Sequence, residues 1–358
     1  MTGLRAPIEV VGAGPAGLAA AITAARGGRR VVVHEAGREV GHRFRRDLQG
    51  LENWTGDRDA LDVLRDAGLT TDFDHAPCLK GVAFDAWDRP HALCSSAPIF
   101  YLVERGPGRG SLDRALLDQA LCLGVEIRYG SRRQRLDGPG IFACGPRTAD
   151  AIAAGYHFET GLVDGFWVIL DEALAPGGYA YLLVMGGRGT VKSCMFRDFA
   201  RHRLYVERTV ERFRRLVGFD MLEVRFHCGV ANFPRPPAAR SRRQPIAGEQ
   251  AGFQDALAGF GMRYAMFSGV MAARSLLDGT DYDASCEQAM KRPIETADVN
   301  RAIYDRLGNR GYRWLLRGQA WTGDTRRFLR WLYRPARLRH LLLPWAQRRH
   351  PARSRRFA

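Results

Sequence analysis

The run Gly12-Ala13-Gly14-Pro15-Ala16-Gly17, followed eighteen positions after Gly17 by Glu35, has the residue types and spacing to hold a dinucleotide. Gly12 permits a tight turn out of a strand, Gly14 lets backbone approach a pyrophosphate, and Gly17 lets a helix lie close on that strand. Ala16, inside the same turn, belongs to the set. The helix start then offers the phosphates N–H groups that have no partner inside the helix. Glu35 is placed to accept a hydrogen bond from the adenosine ribose, and an acid there opposes a 2′-phosphate, which selects FAD or NAD over NADP in this slot.

Other reaction chemistries find no motif. H-E-x-x-H, G-x-S-x-G and C-x-x-C are absent and no histidine pair has metal-ligand spacing, so no metal site is assigned. His34, His157 and His227 sit among apolar neighbours and read as hydrogen-bonded core histidines. Trp167, Tyr179 and Tyr181 lie in apolar strand runs, where aromatics line a substrate pocket or simply fill core. No side chain is assigned as general acid, so the catalytic set stays empty.

The elements that must position the turn are legible on either side of it. Ile8–Val11 is a short β-branched run, Leu18, Ile22 and Ala25 recur at helical spacing, and Val31–Val33 is a second buried strand, which makes a β–α–β unit. Downstream, Ser111 to Leu123 predicts a helix, Val125–Tyr129 a strand, and Gly140–Gly145 another buried strand ending in glycine. From Gly165 to about Cys228, apolar runs alternate with glycine turns, predicting an antiparallel sheet interrupted by a helix near Tyr205–Val217. A basic, proline-rich loop spans Pro234–Arg243, and a glycine-studded helix runs from Gly259 to Leu277.

Composition bounds the class. The chain has 358 residues, 46% hydrophobic and 26% charged, which excludes disordered, collagen-like and disulfide-scaffold proteins and suits two closely packed domains. Seven scattered cysteines fit a reduced, cytoplasmic chain. Ala6–Ala25 is apolar, but Glu9, Pro15 and its glycines break the core that a signal peptide needs, and no run reaches membrane-spanning length. Net charge is +16, and residues 310–358 hold 14 arginines against the single acid Asp324. Trp314, Leu315, Trp321, Phe328, Trp331 and Leu332 interleave with those arginines, and Pro335 starts a helix in which Leu338, Leu341, Leu342 and Trp345 share a face and Pro344 kinks the end. Such a pattern suits an anionic membrane surface, at about 1 kcal/mol per engaged basic residue, better than nucleic acid, for which there is no module. The alternative is a helical cap with a solvated basic face.

Three ordered blocks over residues 8–280 resemble the geranylgeranyl reductase family, within the p-hydroxybenzoate-hydroxylase-like FAD enzymes. These are the Gly12–Gly17 turn with Glu35, then Ile141-Phe142-Ala143-Cys144-Gly145, then Gly248-Glu249-Gln250-Ala251-Gly252 with Gly259-Phe260-Gly261-Met262 and Ser268-Gly269. The resemblance implies that Glu249, where the family usually has Asp, holds the ribityl chain, that Gly145, Gly259, Gly261 and Met262 face the flavin, and that Arg43 and Arg105 contact pyrophosphate or flavin. Tyr179–Val184 lacks the Trp, Phe and Pro of the family's substrate-cavity signature, and residues 41–50 lack the cysteine that some members carry. Cys144-Gly145-Pro146 replaces the Asp-Gly pair of the hydroxylase branch, and the halogenase tryptophan signature is missing.

The expected protein is therefore α/β. A Rossmann-type FAD-binding domain (1–55, 105–155 and 240–300) is interleaved with an antiparallel-sheet substrate domain (56–104 and 156–239), and residues 301–358 form a basic amphipathic helical tail. The resemblance implies FAD as cofactor, NAD(P)H as transient donor, and reduction of a carbon–carbon double bond in an isoprenoid or other lipid, peripherally on the inner membrane face. A monooxygenase, or a flavin-binding isomerase or cyclase without net redox, are the alternatives.

Overall fold

The computed structural model describes residues 6–146, 148–233 and 244–349. The expected loop at Pro234–Arg243 and the last arginines of the tail lie outside them.

Four short parallel strands form the first sheet, in the order β8 (Glu126–Arg128), β2 (Val31–His34), β1 (Ile8–Val11), β9 (Gly140–Phe142). Ile8, Val10, Val33 and Ile141 are buried, as strands covered on both faces require. Helix α1 (Pro15–Arg26) and helix α5 (Met262–Asp278) pack on one another against this sheet, and α3 (Leu112–Cys122) joins the same core. Ser111 caps α3 by accepting from the Arg114 N–H.

A small antiparallel sheet, β3 (Asp47–Glu52), β7 (Phe100–Arg105), β4 (His75–Cys78), follows, with α2 (Ala60–Asp66) between its strands in sequence. The largest sheet has seven strands: β14 (Leu222–Ala231), β10 (Ala151–Glu159), β13 (Arg188–Met195), β12 (Tyr179–Met185), β11 (Gly165–Leu170), β5 (Lys80–Asp85), β6 (Pro90–Cys94). Helix α4 (His202–Val217) covers one face with Val210 and Phe213. The sheet is not wholly antiparallel, because β11 and β5 pair in parallel. Strand β10 also crosses the boundary expected at 155, pairing along its length with β13 and β14.

The C-terminal segment is helical, as expected. Helix α6 (Tyr282–Cys286) leads into α7 (Arg292–Thr322), which crosses the boundary expected at 300 and buries Ala302, Tyr304, Tyr312 and Leu316. Gly308, at φ 55° and ψ −172°, kinks α7. Helix α8 (Thr325–Tyr333) begins at Asp324, whose carboxylate accepts from the Arg327 and Ser96 N–H groups and the Ser95 hydroxyl, tying the helix to the end of β6. Helix α9 (Arg337–Arg349) buries Leu343 and Ala346 against Val299 and Ala302 of α7. Of the expected apolar face, Trp345 packs against this cluster, whereas Leu341 and Leu342 are exposed. Packing on α7 sets the rotation of α9, and Pro344 is carried inside the helix.

Candidate active site

The glycine turn has the geometry that its spacing calls for. Gly12 sits at φ 102°, and a Cβ there would lie 2.5 Å from the Ala143 carbonyl oxygen. A Cβ on Gly17 would lie 1.9 Å from the Gly12 carbonyl oxygen, so α1 reaches the strand only with glycine at that position. Gly14, by contrast, has no atom within 4 Å of where its Cβ would be, and no side chain caps α1. This is an open cradle at a helix start, the arrangement that takes phosphate. Glu35 leaves β2 with one carboxylate oxygen accepting from the Ala13 N–H at 2.8 Å and the other from the Gly37 N–H at 2.7 Å.

The turn opens a cavity of about 790 Å³ that is continuous with the face of the seven-stranded sheet and the underside of α7 and α8. Gly12, Gly14, Ala16, Glu35, Arg43, Arg105, Gly145, Glu249, Gly259, Gly261, Met262, Tyr179 and Tyr181 all line it. Gly17 supports the turn from behind. Trp167 does not line the cavity: Phe166 and Val168 do, and Trp167, paired with Val82 of β5, packs on the opposite face of the sheet. Alternation along β11 decides this, because a shift of one residue exchanges the two faces.

Charged groups ring the end of the cavity beside the glycine turn. Arg105 is buried and gives its guanidinium to Asp113 through two hydrogen bonds of 2.7 and 2.9 Å, so its ion pair is internal and only its edge meets the cavity. The Phe44 ring lies beneath it, 4.2 Å from its Cζ. Arg43 is exposed, with a guanidinium nitrogen against Gly145. Glu249 accepts the Asn232 N–H at 2.8 Å, and burial pushes its carboxyl up to about 7 against that bond and the charges of Arg43 and Arg105. The start of α5 at Gly261 has no side-chain cap either, and it faces the cavity.

A cluster that the sequence did not announce lies in the middle of the wall. Lys192 of β13 donates to Asp47 Oδ1 at 2.7 Å and to His227 Nδ1 at 2.9 Å, and His157 Nε2 bonds Asp47 Oδ1 at 3.0 Å. His157 and His227 therefore have polar, not apolar, surroundings. Asp47, His157 and His227 place ligand atoms within 4.8 Å of one another, a grouping with metal-site dimensions, but the lysine ammonium already stands among them as the cation. Burial alone would raise Asp47, yet Lys192 and the His157 bond outweigh it and hold the carboxyl below its usual range. Burial, aided by Lys192, depresses His227 to about 4. The available signal was one of the chain's three lysines standing inside a short strand run, Gly189–Met195, between Val191 and Cys194.

Comparison with known proteins places this architecture. Residues 10–53 match the family of NAD(P)-binding Rossmann-like domains. No curated protein matches the chain by sequence. Among solved structures, the chain is similar to a geranylgeranyl bacteriochlorophyll reductase-like protein of Thermoplasma acidophilum, with TM-score 0.71 and 17% identity over 96% of this chain and 98% of that one. It is also similar to a flavin-dependent brominase, with TM-score 0.66 and 14% identity over 96% and 99% of the two chains. A p-nitrophenol 4-monooxygenase of Pseudomonas putida aligns with TM-score 0.56 and 16% identity over 87% and 97%. The chain shares the fold of these structures, and the sequence-predicted residues that line its interior stand along one cavity.

Proposed function

We propose that the chain binds FAD along this cavity and uses it to reduce a carbon–carbon double bond of an isoprenoid or other lipid. The observation that carries the reading is the continuity of the cavity, from the open Gly14 cradle to a chamber walled by Leu93, Phe166, Val168, Leu183, Leu329 and Leu332. Gly12, Gly14 and the start of α1 would hold the pyrophosphate, Glu35 the ribose, Glu249 the ribityl chain, and the start of α5 the flavin. When bound, the flavin supplies hydride to the substrate. The protein's own residues orient and seal: Tyr179 is pinned by donating to the Ala258 carbonyl at 2.6 Å, and Tyr333 of α8 donates to Asp255 at 2.7 Å, closing the helical roof over the chamber. NAD(P)H would visit transiently as donor.

The reading extends to an anionic bilayer at the cytoplasmic face. No described helix is long and apolar enough to cross a membrane. Trp314, Trp321 and Trp331 are 64%, 83% and 62% exposed on α7 and α8, interspersed with Arg317, Arg327, Arg330 and Arg334. The inner faces of the same helices line the chamber, so a lipid leaving the bilayer would meet the cavity roof first.

The first test is the visible spectrum of the purified protein, then anaerobic addition of NADPH or NADH, then a polyprenyl lipid. A two-band flavin spectrum that bleaches, followed by recovery and a two-hydrogen mass gain in the lipid, is the expected sequence. Oxygen uptake stimulated by substrate would redirect the reading to a monooxygenase. A colourless protein that takes up no FAD would end it.

A further inference from the structure

We propose that Lys192 is the fixed positive charge that sets the electron affinity of the isoalloxazine, an inference that rests on the FAD reading above. Lys192 is 1% exposed to solvent and lines the cavity. Its place follows from sheet order. Gly229, Val230 and Ala231 on β14 line the end beside Glu249, whose carboxylate takes the Asn232 N–H just past that strand, while Phe166 and Val168 on β11 line the apolar chamber. Strand β13 lies two strands from each, about 10 Å at ordinary strand spacing. Lys192 therefore stands where the ribityl end gives way to the chamber, and Tyr181, its cross-strand partner, lines the wall beside it.

The protonation states follow from the partners. His227 Nε2 lies 2.7 Å from the Arg43 carbonyl oxygen, which only accepts, so that nitrogen carries the hydrogen and Nδ1 accepts from Lys192. His227 is thus neutral and cannot supply the charge. Asp47 is ionised and divided among three neighbours, with Oδ1 shared by Lys192 and His157 and Oδ2 taken by the Gln49 amide at 2.9 Å. Burial lowers the pKa of the Lys192 ammonium and the ionised Asp47 beside it opposes that shift; as the cation, Lys192 spends two of its three hydrogens on Asp47 and His227. Arg105 is, like Lys192, paired with a carboxylate, but it gives two guanidinium hydrogen bonds to Asp113; Arg43 is solvated, and Arg339 binds carbonyl oxygens at the end of α8.

A buried ion pair contributes little net stability against an apolar replacement. An ammonium held rigidly in a cavity wall does, however, favour any ring that gains negative charge on reduction, because it is pre-oriented in a site of low dielectric, with Asp47 behind it offsetting part of its field. Positive charge near the flavin ring is a principal lever by which a protein tunes it.

The test compares the midpoint potential of the flavin in wild type, Lys192→Met, Lys192→Gln and Lys192→Arg, each loaded with FAD and equilibrated with a reference dye. Met and Gln are expected to lower the reduced-to-oxidised ratio at fixed dye potential at least tenfold, which is about 30 mV for a two-electron couple. Arg is expected to stay within about threefold, since charge is kept. Gln preserves a donor toward Asp47, so it carries the test should Met fail to fold. A Gln variant that binds FAD stoichiometrically at the wild-type potential overturns the role of Lys192 while leaving the cofactor reading intact. A wild type that takes up no FAD removes that reading and this inference together.

Discussion

Glu52, at the end of β3, has one carboxylate oxygen bonded by the Thr55 hydroxyl at 2.6 Å and the other buried with no partner among the described residues. Burial, opposed by Arg263 and Thr55, pushes its carboxyl from an ordinary 4.5 up to about 7. An acid whose pKa is raised by folding holds its proton more tightly in the folded state, so the stability it contributes is greatest below pH 4.5 and is lost as pH climbs to 7. Glu52→Gln cannot ionise and escapes that loss. Its stability relative to wild type, read from denaturant midpoints, is expected to be nearly constant below pH 4 and to gain about 3 kcal/mol by pH 8. A gap that does not change with pH would show that Glu52 is not charged against its surroundings. The same scale shows what sequence reading reached and what it missed. Glu249 was legible because it stands inside a glycine-flanked run, and Glu35 because it ends the second strand eighteen positions after Gly17, the spacing that the β–α–β unit sets. Asp47 and Lys192 were not, because 145 positions separate two side chains whose charges explain one another only when 2.7 Å apart.

Helices α1 and α5 meet through small residues, and that contact aims the phosphate cradle. A Cβ on Gly269 would lie 2.1 Å from the Ala16 carbonyl oxygen, inside the first turn of α1. Gly269→Val must therefore push the helices apart, with an expected loss of about 1 to 3 kcal/mol and weakened FAD uptake. Gly318 in α7 offers the opposite case. A Cβ there would meet the Phe328 ring at 3.9 Å, an ordinary contact. Gly318→Ala is expected to raise stability by about 0.5 to 1 kcal/mol through helix propensity, with cofactor uptake unchanged. Paired denaturation curves and FAD titrations on the two variants check both signs. The alternation that puts Phe166 and Val168 toward the cavity, and Trp167 away from it, belongs to this scale too. A period of two names the pairs that share a face, but only the packing of α4 on one side of the sheet says which face is which.

At the scale of the molecule, the arginine-rich C-terminal segment is both roof and outer surface, with Leu315, Leu316, Phe328 and Leu332 turned to the cavity and Trp314 and Trp321 to solvent. If this surface meets an anionic bilayer, the protein will sediment with vesicles containing phosphatidylglycerol, release as salt rises, and ignore purely phosphatidylcholine vesicles. The double variant Trp314→Ala/Trp321→Ala is expected to weaken that binding at least fivefold without changing the thermal midpoint. Equal binding to neutral vesicles, or none to anionic ones, would leave the arginines as a solvated face of the roof. The sequence by itself determined the β–α–β unit, its glycine turn, the acids that flank it and the basic, tryptophan-bearing character of the C-terminal segment, because each is written in residues close along the chain. Only the tertiary structure decided that this segment closes the cavity, which face of α9 docks, and that Asp47, His157, Lys192 and His227 form one cluster. Those depend on the order of strands in the sheet and on contacts between distant segments, and local periodicity carries neither.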